Sequence, residues 1–199
     1  MNFPLYHDLT FDALYACIAI LLFVTIERGL YLTYLSLRAG RVARRINQNP
    51  QDAAGSFADL KARDPISAAV MRYVARQAHN GVSRDQLEDY SSALFIEVDK
   101  RVSARLWILD TIITAAPLLG LLGTILGIME TFTALAQGGV SDPGQVSRGI
   151  GMALIATAIG IATALLGLLG HNILDRRAHV LTEDFKSFLL RLTISSAIS

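Results

Sequence analysis

The segment 149–174 contains no Asp, Glu, Lys or Arg, and this feature constrains the fold more than any other. A helix needs about 20 apolar residues to cross the hydrocarbon of a bilayer, so the segment can span a membrane with residues to spare. Two further stretches, 111–135 and 11–37, are nearly as apolar and carry few charges. Lipid cannot satisfy the backbone of an open strand, so stretches of this length predict helices.

The composition supports a membrane protein rather than a soluble one. Of 199 residues, 52% are hydrophobic and 18% charged, and the mean hydropathy is +0.43. The alternative is a soluble bundle with buried helices, but core helices rarely run so far without a polar face. We therefore predict an all-α integral membrane protein with three transmembrane helices, of which the last two extend into the cytoplasm as long helices.

The placement of basic residues predicts the topology. Lys and Arg are absent before Arg28 and are frequent from Arg38 to Arg105. Arg148 alone lies in the connection between the later spans, and further basic residues follow the third apolar segment. Basic residues at the ends of spans stay on the cytoplasmic side. The N-terminus is thus predicted outside and the C-terminus inside. The net charge of +1 gives no indication of nucleic-acid binding, and the lone Cys17 excludes a disulfide framework.

These patterns divide the chain into four segments. They are an external N-terminus with the first transmembrane helix (1–37) and a cytoplasmic helical segment (38–106). The second and third transmembrane helices, expected to form the channel core (107–175), and a cytoplasmic C-terminal helix (176–199) follow. The pair Glu27-Arg28 near the inner end of the first span is interpreted either as a proton carrier or as an interfacial ion pair.

Local signals predict helix boundaries in the cytoplasmic segment. Asp64-Pro65 is typical of a helix start, Asn80-Gly81 of a helix end, and Ser83 to Gln86 of a capping box. The following helix carries one apolar stripe at three- and four-residue steps: Leu87, Tyr90, Leu94, Val98, Val102 and Leu106. No Gly or Pro interrupts the chain before Trp107, so one unbroken helix is expected to run into the second span.

No enzyme signature is present in the sequence. The four histidines fall in separate segments without metal-ligand spacing. The glycines at 120 and 123 lack the following lysine of a phosphate loop. The chain is predicted not to be an enzyme and to have no catalytic residues, cofactor or metal site.

Small residues and hydroxyls provide the remaining signal in the second and third spans. Glycines repeat on one face of each span and predict close helix packing: Gly120, Gly123, Gly127, Gly149, Gly160 and Gly167. We expect these faces to hold copies of the chain together. The hydroxyls of Thr114, Thr124, Thr131 and Thr157 either bond to carbonyls one turn back or line a water-filled seam.

Two motifs resemble the ExbB/TolQ/MotA proton-channel family, closest to the ExbB type. They are AAPLLGLLGTILGIM at 115–129 and GIGMALIATAIG at 149–160, in this order and separated by a short loop. The resemblance implies an inner-membrane protein with a periplasmic N-terminus and a cytoplasmic C-terminus. It also implies a homopentamer around two single-span partners of the ExbD/TolR type, driving a TonB-like energy transducer. A TolQ-like role in envelope maintenance and division, or a non-conducting scaffold, are the alternatives.

The same resemblance suggests an ion pathway formed by Thr157, Thr114, Thr124 and Pro117. Thr157 is the polar channel residue retained from the family pattern. Departures are Ala115, where the family often has Thr, and Met152, where it often has Glu. The third span commonly ends in Ala-Ile-Pro, whereas this chain reads Ala164-Leu165-Leu166-Gly167.

Overall fold

Helices make up nearly all of the chain that the structure describes. A computed structural model describes residues 3–48, 64–77, 83–138 and 143–195. The helices are α1 (Phe3–Gln48), α2 (Pro65–Gln77), α3 (Arg84–Val102), α4 (Leu106–Gly138) and α5 (Pro143–Ser195). No strand occurs within these ranges, which confirms the all-α fold class.

Three of these helices are long and apolar enough to cross a membrane. The candidate spans are Leu9–Gly40, Leu106–Ala136 and Pro143–Arg191. α5 begins at the predicted proline and continues well beyond the apolar segment, as the sequence predicts for the third span. The expected helix end at Asn80-Gly81 lies outside the described residues.

The helices form two compact units. The first unit comprises Met1–Glu27 and Arg105–Ile173, and the second comprises Arg28–Ala104 and Leu174–Ser199. In the first unit, the buried core consists of apolar and small side chains from α1, α4 and α5: Leu14, Leu21, Val24, Leu109, Ile112, Ala116, Ala153 and Ala156.

In the second unit, α2 packs against α3. The carboxylate of Asp64 caps α2 by accepting a hydrogen bond from Ser67 N at 2.7 Å, which confirms the predicted helix start. Ser83 N donates to Gln86 Oε1 at 3.2 Å, as the capping box predicts for α3. Arg72 forms a bidentate pair with Glu97, with Nη1–Oε2 and Nη2–Oε1 distances of 2.8 and 3.1 Å.

The prediction of one unbroken helix running into the second span is wrong, because α3 ends at Val102 and α4 begins at Leu106. Ser103 N still donates to Asp99 O at 2.9 Å, and Arg105 then takes a positive φ of 69°. An L-residue in this left-handed region terminates a right-handed helix. Arg105 Nη1 is 3.0 Å from Glu27 Oε1, so a tertiary ion pair accompanies the break.

Candidate functional site

The backbones of α4 and α5 come into contact at Gly120 and Gly160. A Cβ atom built on Gly160 would lie 2.5 Å from the carbonyl oxygen of Ala116 and 3.1 Å from Gly120 Cα. A Cβ atom built on Gly120 would lie 2.9 Å from the carbonyl oxygen of Ala156. Backbone therefore contacts backbone here, and an added methyl group could enter neither position without moving a helix.

Two threonine hydroxyls meet beside this contact. The Oγ1 atoms of Thr124 on α4 and Thr157 on α5 are in direct hydrogen-bond contact. Thr157 Oγ1 also lies 3.0 Å from the carbonyl oxygen of Gly120. Thr124 Oγ1 lies 3.0 Å from the carbonyl oxygen of Ala153 and 3.2 Å from that of Gly120. We call these two hydroxyls and two carbonyls the hydroxyl cluster.

The hydroxyl cluster has fewer protons than acceptor sites. Each threonine carries one hydroxyl proton, whereas both carbonyl oxygens and both hydroxyl oxygens can accept one. If one hydroxyl donates to the other, only one proton remains for the carbonyls of Gly120 and Ala153. The cluster therefore has several possible donor arrangements, and its oxygens retain capacity to accept a further hydrogen bond.

Small apolar residues surround the hydroxyl cluster. Ala153 and Ala156 are fully buried. A Cβ atom on Gly123 would lie 2.9 Å from Ala156 Cβ and 3.4 Å from Thr10 Cγ2 of α1. Hydrogen bonds in surroundings of this kind are electrostatically stronger than in water, because the local dielectric constant is low.

Two other predicted pathway residues lie apart from the cluster. Thr114 is on the exposed face of α4, and its hydroxyl lies 2.9 Å from the carbonyl oxygen of Thr111 and 3.2 Å from that of Asp110. At about 1.5 Å per residue, Thr114 precedes Thr124 by about 15 Å along the helix. Pro117 is half-buried inside α4 and contributes no N–H to the helix. Their part in ion passage stays a prediction.

The remaining predicted glycines contact helices of the same chain. Gly149 faces Thr131, whose hydroxyl donates to the carbonyl of the buried Gly127 at 2.8 Å. A Cβ atom on Gly167 would lie 2.8 Å from Leu21 Cδ1 and 3.0 Å from Ile113 Cγ1. In the structure these contacts occur between α1, α4 and α5 of one chain. The expectation that glycine faces also hold separate copies together stays a prediction.

Sequence reasoning missed two kinds of residue at these helices. Ala116 and Ala153 take part in the crossing together with the glycines, through the contacts of their carbonyl oxygens with Gly160 and Thr124. Asp110 lies inside the candidate span that begins at Leu106, but the charge pattern placed the start of the span after it.

Three helices that are long and apolar enough to cross a membrane, with a neutral polar cluster at the crossing of two of them, define an integral membrane protein. Residues 61–187 match the MotA/TolQ/ExbB proton channel family, so this chain belongs to that family. The family is one of channel proteins rather than enzymes. Within the described residues, no group of three or more His, Cys, Asp or Glu side chains could hold a metal ion.

Relatives carry both ExbB and TolQ names. The chain is 38% identical to the biopolymer transport protein ExbB of Helicobacter pylori over 104 residues, which cover 52% of this chain and 70% of the relative. It is 30% identical to the biopolymer transport protein exbB1 of Vibrio cholerae over 81% of this chain and 73% of the relative. It is 32% identical to the Tol-Pal system protein TolQ of Pseudomonas aeruginosa over 74% of this chain and 63% of that relative.

Proposed function

We propose that this chain is the channel-forming subunit of an inner-membrane, proton-driven motor of the ExbB type. Together with a single-span partner of the ExbD/TolR type, it energises a TonB-like protein for transport across the outer membrane. Five copies of the chain surround the partner, with N-termini in the periplasm and C-termini in the cytoplasm. The observation that carries the proposal is the hydroxyl cluster of Thr124 and Thr157, in a chain of the proton channel family.

The chemistry of the cluster suits proton passage. A hydroxyl both donates and accepts, so it can exchange partners with a water molecule or a carboxyl group. It also avoids the large cost of placing a charge in the bilayer. Thr157 is half-buried as a residue, and its hydroxyl contacts Gly120 O and Thr124 Oγ1. A partner's carboxyl group would join these contacts.

Substitution of Thr157 tests the proposal. Thr157→Val keeps the shape and removes the hydroxyl, whereas Thr157→Ser keeps the hydroxyl and loses a methyl group. We expect the Val variant to reach normal membrane levels and bind its partner but to fail in energised outer-membrane uptake. The Ser variant should retain most uptake.

Thr163→Val is the matched control for this experiment. Thr163 is a buried threonine of the same helix whose hydroxyl donates within the helix, to Ile159 O at 2.7 Å. Its Val variant should transport like the parent. Full uptake by Thr157→Val would reject the ion-path role and favour a non-conducting helical scaffold.

A TolQ-like role in envelope maintenance and division is the second candidate. The TolQ relative from Pseudomonas aeruginosa is 32% identical over 74% of this chain, which is comparable to the ExbB relative from Vibrio cholerae at 30% over 81%. The two roles differ in their phenotype. Deletion of the gene should abolish receptor-dependent uptake in the ExbB role, and should cause detergent sensitivity and chained cells in the TolQ role.

A further inference from the structure

Asp110 is a carboxylate on the exposed face of an apolar span. It lies one turn inside α4, after Leu106 and Trp107, within the candidate span Leu106–Ala136. Across the ranges that the structure describes, its carboxylate makes no hydrogen bond or ion pair, and only its backbone carbonyl is used. The nearby Arg105 is already paired with Glu27 at 3.0 Å.

Two hydroxyls share the exposed face of Asp110. Thr111 Oγ1 donates to Trp107 O at 2.9 Å, and Thr114 Oγ1 lies within hydrogen-bond distance of two backbone carbonyls. Their protons are thus used by the helix, and their oxygens can still accept hydrogen bonds from outside. We call Asp110, Thr111 and Thr114 the polar patch. One turn further along, the same face becomes apolar at Leu118, which is 66% exposed.

The polar patch is incompatible with a lipid-facing surface. Trp107 is 69% exposed on this face, and tryptophan typically lies at the level of the headgroups. At about 1.5 Å per residue, Asp110 is about 4.5 Å deeper and Thr114 about 10 Å deeper than Trp107. Lys and Arg reach an interface with long side chains, but Asp has a single methylene group and cannot. Charged groups at such positions face a water-filled cavity or a polar partner.

We propose that the polar patch lines a water-filled mouth of the ion path at the Leu106 end of α4, and that the Asp110 carboxylate attracts and transiently binds the permeating cation there. The inference rests on the proposed channel function. Asp110 precedes Gly120, whose carbonyl belongs to the hydroxyl cluster, by about 15 Å along the helix at about 1.5 Å per residue. A negative charge at this end raises the local cation concentration before the neutral cluster is reached.

Accessibility to a water-soluble reagent tests the mouth. Single cysteines replace Asp110, Thr114 or Leu169 in a Cys17→Ser chain, and membrane fragments open on both sides are treated with a charged thiol reagent. α4 and α5 run antiparallel, with Gly167 against Ile113, so Leu169 lies near the depth of Asp110. Leu169 is 62% exposed and lies outside the polar patch, so it serves as the matched control on an exposed apolar face.

We expect Asp110→Cys and Thr114→Cys to react at least about tenfold faster than Leu169→Cys, because an apolar environment suppresses the thiolate. Equal rates for Thr114→Cys and Leu169→Cys would overturn the proposal. They would mean that water does not reach Thr114 and that Asp110 lies only at the level of the headgroups. This measurement does not involve transport. It therefore separates failure of the mouth from failure of the proposed function.

The role of the charge is tested by energised uptake in Asp110→Asn and Asp110→Glu chains. Asn keeps the shape and removes the charge, so uptake should be several-fold slower at equal membrane levels. Glu restores the charge and should restore most of the rate. Uptake at the parent rate by the Asn variant would show that the carboxylate does not serve the ion path.

Discussion

The carbonyl oxygen of Ala116 faces Gly160 so closely that a Cβ atom on Gly160 would lie 2.5 Å from it. Real Cβ atoms do not approach backbone oxygens to this distance, so the contact requires glycine. This backbone contact holds α5 against α4 near Thr157. The distance between the hydroxyls of Thr124 and Thr157 is consequently set by backbone atoms rather than by side-chain packing.

Gly160→Ala should destabilise the protein by about 1–3 kcal/mol, the usual cost of overpacking a close contact. The variant should have a lower thermal midpoint in detergent than the parent. Gly151→Ala, on the same helix, is the control because nothing lies within 4 Å of its added Cβ atom. There the better helix propensity of Ala should leave stability unchanged or slightly raised. Equal midpoints for the two variants would contradict the close contact.

Thr124 and Thr157 should be energetically coupled. Removal of one hydroxyl already breaks their mutual hydrogen bond, so the second removal costs less than it would alone. We expect a double-mutant cycle of Thr124→Val and Thr157→Val to give a coupling energy of about 0.5–1.5 kcal/mol from denaturation in detergent. Additive effects within error would mean that the hydroxyls act independently.

The Arg72–Glu97 pair should make the packing of α2 on α3 depend on pH. The hydrogen bond from Arg72 holds the pKa of Glu97 below its ordinary value. A depressed carboxyl pKa stabilises the folded state above the ordinary value of about 4.3 and loses this contribution as pH falls through the folded pKa. Glu97→Gln should therefore speed hydrogen exchange of α2 at neutral pH, and its difference from the parent should shrink as the pH falls through the lowered pKa of Glu97.

The exposed Glu88 on the same helix gives the control for this prediction. Its carboxylate forms no ion pair within the described part of the chain, so Glu88→Gln should leave exchange in α2 unchanged at every pH. An equal effect of both substitutions would assign the change to net charge rather than to the pair.

The sequence predicted those features that depend on local pattern. The apolar stripe of α3 is buried at Leu87, Leu94, Val98 and Val102, because helical periodicity alone places these side chains on one face. The break before α4 could not be predicted in the same way. It lies at Ser103–Arg105, where neither Gly nor Pro marks it, and Arg105 is paired with a residue of a distant helix.

The hydroxyl cluster was predicted only in part, for a related reason. Periodicity shows which face of α4 carries Thr124 and which face of α5 carries Thr157. It does not give the register between the two helices, which decides whether the hydroxyls meet. That register follows from contacts such as Gly123 with Ala156 and Gly160 with Ala116, and these exist only once the helices pack.

The predicted orientation follows from the basic residues that flank the segment 38–106. Single cysteines at Ser141 and Ser83, in a Cys17→Ser chain, should respond differently to an impermeant thiol reagent added to cells with a permeabilised outer membrane. Ser141→Cys should react, whereas Ser83→Cys should react only after the inner membrane is opened. The reverse pattern would place the N-terminus in the cytoplasm.

The unbroken course of α5 restricts which changes in chain length this protein can accept. Its buried residues follow three- and four-residue steps in two series, one in each unit: Ala153, Ala156, Gly160, Thr163 and Gly167 in the first, and Leu174, Ala178, Leu181, Phe185 and Leu189 in the second. One residue inserted or deleted within either series would rotate every later side chain of that series by about 100° and turn it out of its packing. The non-helical residues 103–105 do not transmit such a rotation, so homologous chains should vary in length there and stay constant in length along α5.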